Sequence, residues 1–287
     1  MLNNMIESIR RAAVSNYTLG GFNVFGYEDA IAVVKAAEAL NAPVILLTNK
    51  LAIEHMPVEY WGMLLGAIAR DSKVLVGVHL DHCNDYNLIK RAIKSGYTSV
   101  MYDGSQLPLE QNIQNTKQIV KMAHDFGVAV EGEIGSVPYT DFPGKVKDIY
   151  TDPQEAKVFV EETGVDWLAV AIGTVHRMQV QEAQIQYDRL EAIQRMTNVP
   201  LVIHGSTGIA DEDLAKLNDF QIGKINIGTA LRIAFVNTLR KEINENPKEF
   251  DRLNLFKKPM GAVQKETWKK MELLGLKRAF AFKEEGV

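Results

Sequence analysis

The segment "KVLVGVHLDHC", residues 73–83, joins a run of apolar residues to a polar end. The apolar part has the length and composition of a strand that is buried in a parallel sheet. Asp81 and His82 follow it directly, so a carboxylate and an imidazole stand side by side where the strand leaves the core. Such a pair is either an ordinary polar strand end or part of a reaction centre.

Apolar runs of this kind recur along the chain and are separated by longer stretches with helical periodicity. The predicted strands are 20–26, 43–49, 73–80, 99–104, 128–135, 166–174, 200–205 and 224–229. The clearest helical patterns are 27–40, 85–96, 109–127 and 153–164. About eight strand–helix units in regular succession predict a (β/α)8 TIM barrel rather than an open sheet. The amphipathic stretch 261–280 predicts an additional C-terminal helix.

No Gly/Pro/Ser-rich linker interrupts this series, so residues 1–287 are expected to form a single barrel domain. The 287 residues, 46% of them hydrophobic, are enough to fill a large core. One connection, 136–152, is long for a barrel loop and lies between the fifth strand and its helix. Loops of this length often form lids over a site.

Charge and composition restrict the partners that we expect. Acidic residues outnumber basic ones by 36 to 32, and no stretch combines dense Lys/Arg with aromatic residues. Nucleic acid and anionic membranes are therefore not expected partners. The sequence shows no secretion signal, no apolar run of membrane-spanning length and a single cysteine, Cys83, which predicts a cytoplasmic protein. Small molecules are the expected ligands.

Active sites of such barrels lie at the C-terminal ends of the strands, so polar residues that close the apolar runs are the site candidates. They are Asn23, Asp81, His82, Asp103, Glu131, Glu133, His176, His204, Asn226 and Thr229. A single strand-end histidine is more often only hydrogen-bonded. Three of them, His82, His176 and His204, favour a metal site, because three imidazoles with one open position are typical of catalytic zinc. His79 lies inside its strand and is expected to support the site or to form a core hydrogen bond.

Two turns rich in glycine and hydroxyl residues follow the last two predicted strands. They are "IHGSTG" (203–208) and "KINIGTA" (224–230), and each directly precedes a helical pattern. Backbone N–H groups at helix N-termini bind anions, and TIM barrels often hold phosphate at this pair of loops. The two turns therefore predict a phosphate site beside His204.

An ordered set of motifs resembles the class II, zinc-dependent ketose-bisphosphate aldolases, and most closely their tagatose-bisphosphate branch. The motifs are "HLDH" (79–82), "MYDGSQLPLEQNI" (101–113), "EGEIG" (131–135), "TDPQEAKVFVEETGVDWLAVAIGTVH" (151–176), "PLVIHGSTGI" (200–209) and "KINIGT" (224–229). The resemblance runs from about residue 5 to the C-terminal helix. It implies reversible cleavage of tagatose or fructose 1,6-bisphosphate to dihydroxyacetone phosphate and an aldehyde, in a homo-oligomer such as a dimer or tetramer.

The resemblance also implies roles for individual residues. His82, His176 and His204 would bind Zn²⁺, and Asp81 would exchange a proton with the hydroxyl at the bond that is made or broken. Asp103 and Glu133 would lie near an alternative metal position or orient the metal ligands. Asn23 and Asn226 would contact the dihydroxyacetone part of the substrate. Its phosphate would be bound by Gly205, Thr207 and Thr229. A monovalent cation, Na⁺ or K⁺, is implied near the phosphate.

Three positions depart from the family pattern. Arg177 stands where the family usually has Gly, and it either binds an anionic part of the substrate or blocks the pocket. Asp141 stands where the family has a loop Glu that removes the carbon proton, and Asn49 replaces a small or hydroxyl residue. Two other functions remain open on the sequence: a non-catalytic barrel that assists an aldolase or binds a phosphorylated sugar, and a metal-dependent sugar-phosphate epimerase or isomerase.

Overall fold

The protein forms a closed barrel of eight parallel strands in sequence order. The computed structural model describes residues 1–138, 150–178 and 180–280. The strands are β1 Leu19–Asn23, β2 Val44–Thr48, β3 Val76–Cys83, β4 Ser99–Tyr102, β5 Ala129–Ile134, β6 Trp167–Val170, β7 Leu201–Ile203 and β8 Ile222–Ile227. The barrel closes because β8 pairs with β1 as well as with β7. The predicted (β/α)8 barrel is thereby confirmed.

Helices surround the barrel. They are α1 Ile6–Ala13, α2 Tyr27–Ala39, α3 Lys50–His55, α4 Val58–Asp71, α5 Tyr86–Lys94, α6 Leu109–His124, α7 Pro153–Thr163, α8 Tyr187–Met196, α9 Asp211–Lys216, α10 Thr229–Glu245, α11 Arg252–Leu273 and α12 Leu276–Phe280. Asp85 and Asp152 accept hydrogen bonds from the backbone N–H groups of the second and third residues of α5 and α7. Such N-caps fix where each helix begins after its strand.

The C-terminal helical region differs from its prediction as a single helix over 261–280. It begins earlier, at Arg252, and is divided after Leu273. Gly275 marks the division: its φ is +77°, and an added Cβ would lie 2.7 Å from the backbone oxygen of Asn16. A residue with a side chain is strained in such a conformation, so the helix ends here.

The sixth strand is shorter than predicted. β6 ends at Val170 instead of continuing to residue 174. Ala171 and Ile172 are buried but lie outside the strand, and the backbone N–H and carbonyl of Ala171 are hydrogen-bonded to Thr151, at 2.8 and 3.0 Å. The apolar run therefore includes a buried loop segment as well as the strand. None of the helices in the described ranges combines the length and the apolar character that a membrane crossing requires.

Candidate active site

An irregularity in β3 places Asp81 and His82 together at the mouth of the barrel. Leu80 pairs with Val100 and Cys83 with Tyr102, so Asp81 and His82 on β3 stand against the single residue Met101 on β4. This is a β-bulge, and His82 takes a left-handed conformation in it, with φ +49°. In a regular strand, neighbouring side chains point to opposite faces. The bulge removes that alternation, so both side chains line the same cavity.

Three imidazoles meet at this mouth, as the sequence predicted. The ring centroid of His82 lies 4.8 Å from that of His176 and 4.5 Å from that of His204. Each ring offers a nitrogen, and these nitrogens lie within 4.8 Å of one another. His82 belongs to the β3 bulge and His204 follows β7, but His176 lies in the loop after β6 and not at a strand end. Its backbone N–H donates to the Pro138 carbonyl at 2.8 Å.

Carboxylates orient two of the three rings. Nδ1 of His82 lies 2.8 Å from Oδ2 of Asp103, and Nε2 of His204 lies 2.8 Å from Oε1 of Glu131. An ionised carboxylate only accepts, so the ring nitrogen is the donor in each pair when the carboxylate is charged. Glu133 lies between the two rings, with its Oε2 at 3.6 Å from His82 Nδ1 and at 3.6 Å from His204 Nδ1. Because each of these rings donates one N–H to a carboxylate, its other nitrogen carries the lone pair in the neutral form.

Burial and the neighbouring charges shift the pKa values of these groups in opposite directions. Burial lowers the pKa of His176 well below its usual value, and the nearby His82 and His204 lower it further. Burial also lowers the pKa of His204, but the carboxylates of Glu131 and Glu133 outweigh it and raise that pKa. Burial, followed by the charge of Asp103, raises the pKa of Glu133.

Asp81 is held by two amide side chains. Asn23 Nδ2 donates to its Oδ2 and Asn226 Nδ2 to its Oδ1, both at 2.9 Å. Burial by itself raises the pKa of Asp81, but the positive charges of His82 and His204 outweigh it and leave this pKa below its usual value. Asn23 and Asn226 thus orient the carboxylate, a contact that the sequence did not predict.

A second polar layer lies directly below this mouth. Oε2 of Glu131 accepts a hydrogen bond from Trp167 Nε1 at 2.6 Å and forms an ion pair with Lys224 Nζ at 2.6 Å. His79 lies 3.7 Å from the same oxygen and is hydrogen-bonded to Ser99 at 2.8 Å. The core hydrogen bond expected for His79 is therefore present. Lys224 was not singled out from the sequence, because it stood at the start of the predicted strand and not inside it.

The cavity above the histidines has a volume of about 550 Å³. The turns after β7 and β8 line it together with the candidate residues of the other strands. The predicted residues among its lining are Asn23, Asn49, Asp81, His82, Asp103, His176, Arg177, Gly205, Thr207, Asn226 and Thr229. Lys50 and Arg232 also line the cavity and were not predicted, because they belong to helices and not to strand ends. Lys50 is the first residue of α3, and Arg232 lies about one turn inside α10.

The two turns differ from each other. α10 begins at Thr229 directly after β8, as predicted, whereas β7 is followed by the 3₁₀ turn Ser206–Gly208 and a helix only from Asp211. The prediction of a helix directly after both strands is therefore wrong for β7. Gly205 has φ +68°, and an added Cβ would lie 2.8 Å from the backbone of Val175. This close approach brings the turn against the loop that carries His176.

Arg177 also has a left-handed backbone, with φ +61°. Glycine adopts this conformation without strain, which gives a physical reason for the glycine usual at this position in the resembling family. Asp141 lies outside the described residues, as does most of the predicted lid, since the structure leaves 139–149 undescribed.

The residues at the mouth fit a divalent metal ion. Nδ1 of His204 and Oε2 of Glu133 are buried and have no hydrogen-bond partner in the described part of the chain. Three imidazoles form one candidate set, and His82, Asp103 and Glu133 form a second one. Nitrogen-rich sets of this kind suit Zn²⁺, and ligating histidines usually donate their other N–H to a carboxylate, as His82 and His204 do here.

Comparisons with known proteins agree with this geometry. The profile of the family "Fructose-bisphosphate aldolase class-II" matches residues 3–278. The chain is 35% identical over 301 residues to a fructose-bisphosphate aldolase of Thermus caldophilus, covering 96% of this chain and 98% of that one. It is also 35% identical over 245 residues to a sulfofructosephosphate aldolase of Alkalicoccus urumqiensis, covering 84% and 85% of the two chains.

Solved structures show the same relationship. The crystal structure of the YdjI aldolase from Escherichia coli K12 superimposes with a TM-score of 0.85 and 31% identity, covering 98% of this chain and 100% of the other. The fructose-bisphosphate aldolase of Campylobacter jejuni has a TM-score of 0.83 at 20% identity, covering 96% of each chain, and supports the fold. The extent of the family match and of the similarity to the Thermus relative shows that this chain belongs to the class II fructose-bisphosphate aldolases, a family of carbon–carbon lyases.

Proposed function

We propose that this protein is a metal-dependent aldolase that reversibly cleaves a phosphorylated ketose into dihydroxyacetone phosphate and an aldehyde. The observation that carries the proposal is the meeting of the His82, His176 and His204 imidazoles beside an oriented Asp81, at the base of a cavity that Asp81, His82 and His176 line. A lysine nucleophile is not required, because a divalent ion bound by these imidazoles supplies a Lewis acid for the charge that develops on the ketone oxygen.

Asp81 is the proposed acid–base group. Both of its oxygens accept hydrogen bonds from asparagine amides at 2.9 Å, which fixes the plane of the carboxylate at the cavity floor. A carboxylate held in this way accepts the hydroxyl proton on the aldehyde side during cleavage and returns it in the synthetic direction. Asn23 and Asn226 are proposed to contact the dihydroxyacetone part as well as to hold Asp81.

The turns after β7 and β8 are the proposed phosphate site. Gly205, Thr207 and Thr229 line the cavity there, and the N-terminus of α10 adds N–H groups without intrahelical partners. Arg177 lines the same cavity, and we propose that it binds an anionic group of the substrate rather than blocking the pocket. Asp103 and Glu133 are proposed to orient ligands or to bind a second divalent ion.

Several parts of the proposal rest on the resemblance to the family alone. These are the removal of the substrate carbon proton by Asp141, a Na⁺ or K⁺ ion near the phosphate, and assembly as a dimer or tetramer. A cytoplasmic location and a single catalytic domain over 1–287 are proposed from the composition and from the uninterrupted strand–helix series. The substrates proposed for testing are tagatose 1,6-bisphosphate first, fructose 1,6-bisphosphate second and, from the name of the Alkalicoccus relative, sulfofructose phosphate third. A cavity of about 550 Å³ is of a size that holds small-molecule ligands.

The test is the release of dihydroxyacetone phosphate by purified protein, measured before and after treatment with a chelator. We expect release from at least one of the three substrates, loss of activity with the chelator and recovery when Zn²⁺ is added back. Turnover that does not respond to the chelator would contradict the metal role. Binding without any product would favour the non-catalytic barrel, and a rearranged sugar phosphate without cleavage would favour an epimerase or isomerase.

A further inference from the structure

An ion pair is enclosed in the barrel below the cavity and takes no direct part in the proposed reaction. Lys224 of β8 and Glu131 of β5 are both fully buried, and Nζ of the lysine lies 2.6 Å from Oε2 of the glutamate. Neither residue lines the cavity. Removing two charges from water costs several kcal/mol per ion, so a buried ion pair is weak evidence for a gain in stability. A role other than stability has to be considered for this pair.

The pair is connected to one of the three imidazoles at the mouth. Oε2 of Glu131 forms the ion pair with Lys224 and accepts a hydrogen bond from Trp167 Nε1 at 2.6 Å. The other oxygen, Oε1, lies 2.8 Å from Nε2 of His204. The ion pair and the hydrogen bond both hold Oε2, and they thereby direct the second oxygen, Oε1, at the histidine ring.

This arrangement determines which nitrogen of His204 carries hydrogen. A carboxylate beside an ammonium group is an acceptor only, so the hydrogen between Oε1 and Nε2 belongs to the imidazole. A neutral imidazole that is protonated on Nε2 has its lone pair on Nδ1. Nδ1 of His204 is buried and makes no hydrogen bond with any described residue, and it faces Glu133 at 3.6 Å.

We propose that Lys224 is a positioning residue: by anchoring Glu131 it holds His204 in the Nε2–H tautomer with Nδ1 directed to the mouth, and so sets the affinity for the divalent ion. This inference rests on the metal site in the proposed function. Lys224 itself contacts neither the proposed metal-binding atoms at the mouth nor the substrate.

The tautomer is measured directly in metal-free, ¹⁵N-labelled protein by long-range ¹H–¹⁵N NMR of the histidine rings in mildly alkaline buffer. The variant His204→Asn assigns the signals of His204. We expect hydrogen on Nε2 in the unsubstituted protein and a shift towards the Nδ1–H form in Lys224→Met. Hydrogen on Nδ1 in the unsubstituted protein would overturn the inference, whether or not the protein is an aldolase.

The affinity for Zn²⁺ is measured by competition with a chromogenic chelator. We expect Lys224→Met to bind about 10- to 100-fold more weakly, the usual effect of losing an outer partner of a metal ligand. Lys270→Met is the matched control, because Lys270 is 5% exposed and is paired with Asp211 at 3.1 Å outside the barrel. The control is expected to keep full affinity.

The outcomes separate this inference from the proposed function. If the unsubstituted protein binds no Zn²⁺, the proposed function fails while the NMR result still decides the tautomer. If it binds Zn²⁺ and Lys224→Met binds equally well, the inference is wrong and the proposed function stands. If Lys224→Met does not fold, Lys224→Gln takes its place with the same expected loss of at least about tenfold.

Discussion

The mouth of the barrel and the layer below it each contain a buried glutamate of β5, and the two carboxylates differ in their pairing. Three strands each contribute an inward pair two residues apart, one member to each layer. The pairs, lower member first, are His79 and Asp81, Glu131 and Glu133, and Lys224 and Asn226. In the lower layer, Glu131 accepts a hydrogen bond from Trp167 and forms an ion pair with Lys224, both at 2.6 Å. At the mouth, oxygen atoms of Glu133 and Asn226 are buried without a hydrogen-bond partner among the described residues.

This difference shows that a buried carboxylate has different roles at different depths of the same barrel. Buried carboxylates are costly unless they are paired, so the paired Glu131 supports the structure, whereas Glu133, with one oxygen lacking a partner among the described residues, is suited to a ligand. Substitutions in the two layers should therefore separate activity from stability, and the following predictions test that separation.

The largest expected effect is that of Asp81→Asn on turnover. The substitution keeps the shape of the side chain but removes the acid–base group, so we expect kcat to fall by about 10²- to 10⁴-fold. Zinc content, measured by elemental analysis, should remain unchanged, because Asp81 is not a proposed ligand. A variant that loses its zinc would contradict the separate roles of Asp81 and His82.

The lower layer is tested by Trp167→Phe. This change removes the N–H donor to Glu131 at 2.6 Å and some buried volume, so we expect the free energy of unfolding to fall by about 2–4 kcal/mol. Urea unfolding of the metal-free protein measures this loss. At saturating Zn²⁺ we expect kcat to stay within about threefold of the original, since no mouth residue is altered. A loss of kcat as large as that of Asp81→Asn would remove the distinction between the layers.

Arg177→Gly tests the rim of the cavity. We expect KM for the bisphosphate to rise about tenfold, because a charge-assisted hydrogen bond to an anion contributes about 1.5–3 kcal/mol. Steady-state kinetics measure this change, and a fall in KM would show that the arginine blocks the pocket.

The control for backbone strain at Arg177 is Asn41→Gly. Asn41 also has a left-handed backbone, with φ +50°, but lies between α2 and β2, away from the cavity lining. Both glycine variants should change stability by no more than about 1 kcal/mol, because relief of strain is offset by the greater freedom of glycine when unfolded. Only Arg177→Gly is expected to change KM.

The smallest effect is expected outside the barrel, at Asp211. Burial opposes its ionisation, but Lys269 and Lys270 outweigh burial and lower its pKa to about 2 from 3.8. A lowered pKa means that its contribution is complete above the unfolded value of 3.8 and is lost as the pH falls towards 2.

Because the carboxylate is about a third exposed, Asp211→Asn should cost less than about 1 kcal/mol at neutral pH. The difference in Tm from the original protein should be constant above pH 3.8 and shrink below it. A difference that grows on acidification would contradict this sign.

The barrel and most of the mouth were predictable, because both depend on local pattern. Buried strands appear as apolar runs, and their polar ends identify the residues that converge at one rim. The length of β6 was not predictable in the same way. Ala171 and Ile172 are as apolar as a strand but lie in a buried loop, and periodicity does not distinguish the two. His176 consequently belongs to a loop docked on the barrel.

The sequence predicted only some of the residues of the lower layer. The predicted strand began at Lys224, whereas β8 begins at Ile222, so the lysine is inside the strand. The available signal was the spacing of Lys224 and Asn226. Residues two positions apart in a strand point to the same side, so Lys224 points into the barrel if Asn226 does. Its pairing with Glu131 depends on the closure of the barrel, which no single segment encodes.

The extra residue in β3 also has a consequence for engineering. A graft of the Asp81–His82 dipeptide onto a regular strand of another barrel would turn one of the two side chains towards the outer helices. The transferable unit is therefore the pair together with its irregular hydrogen-bond ladder.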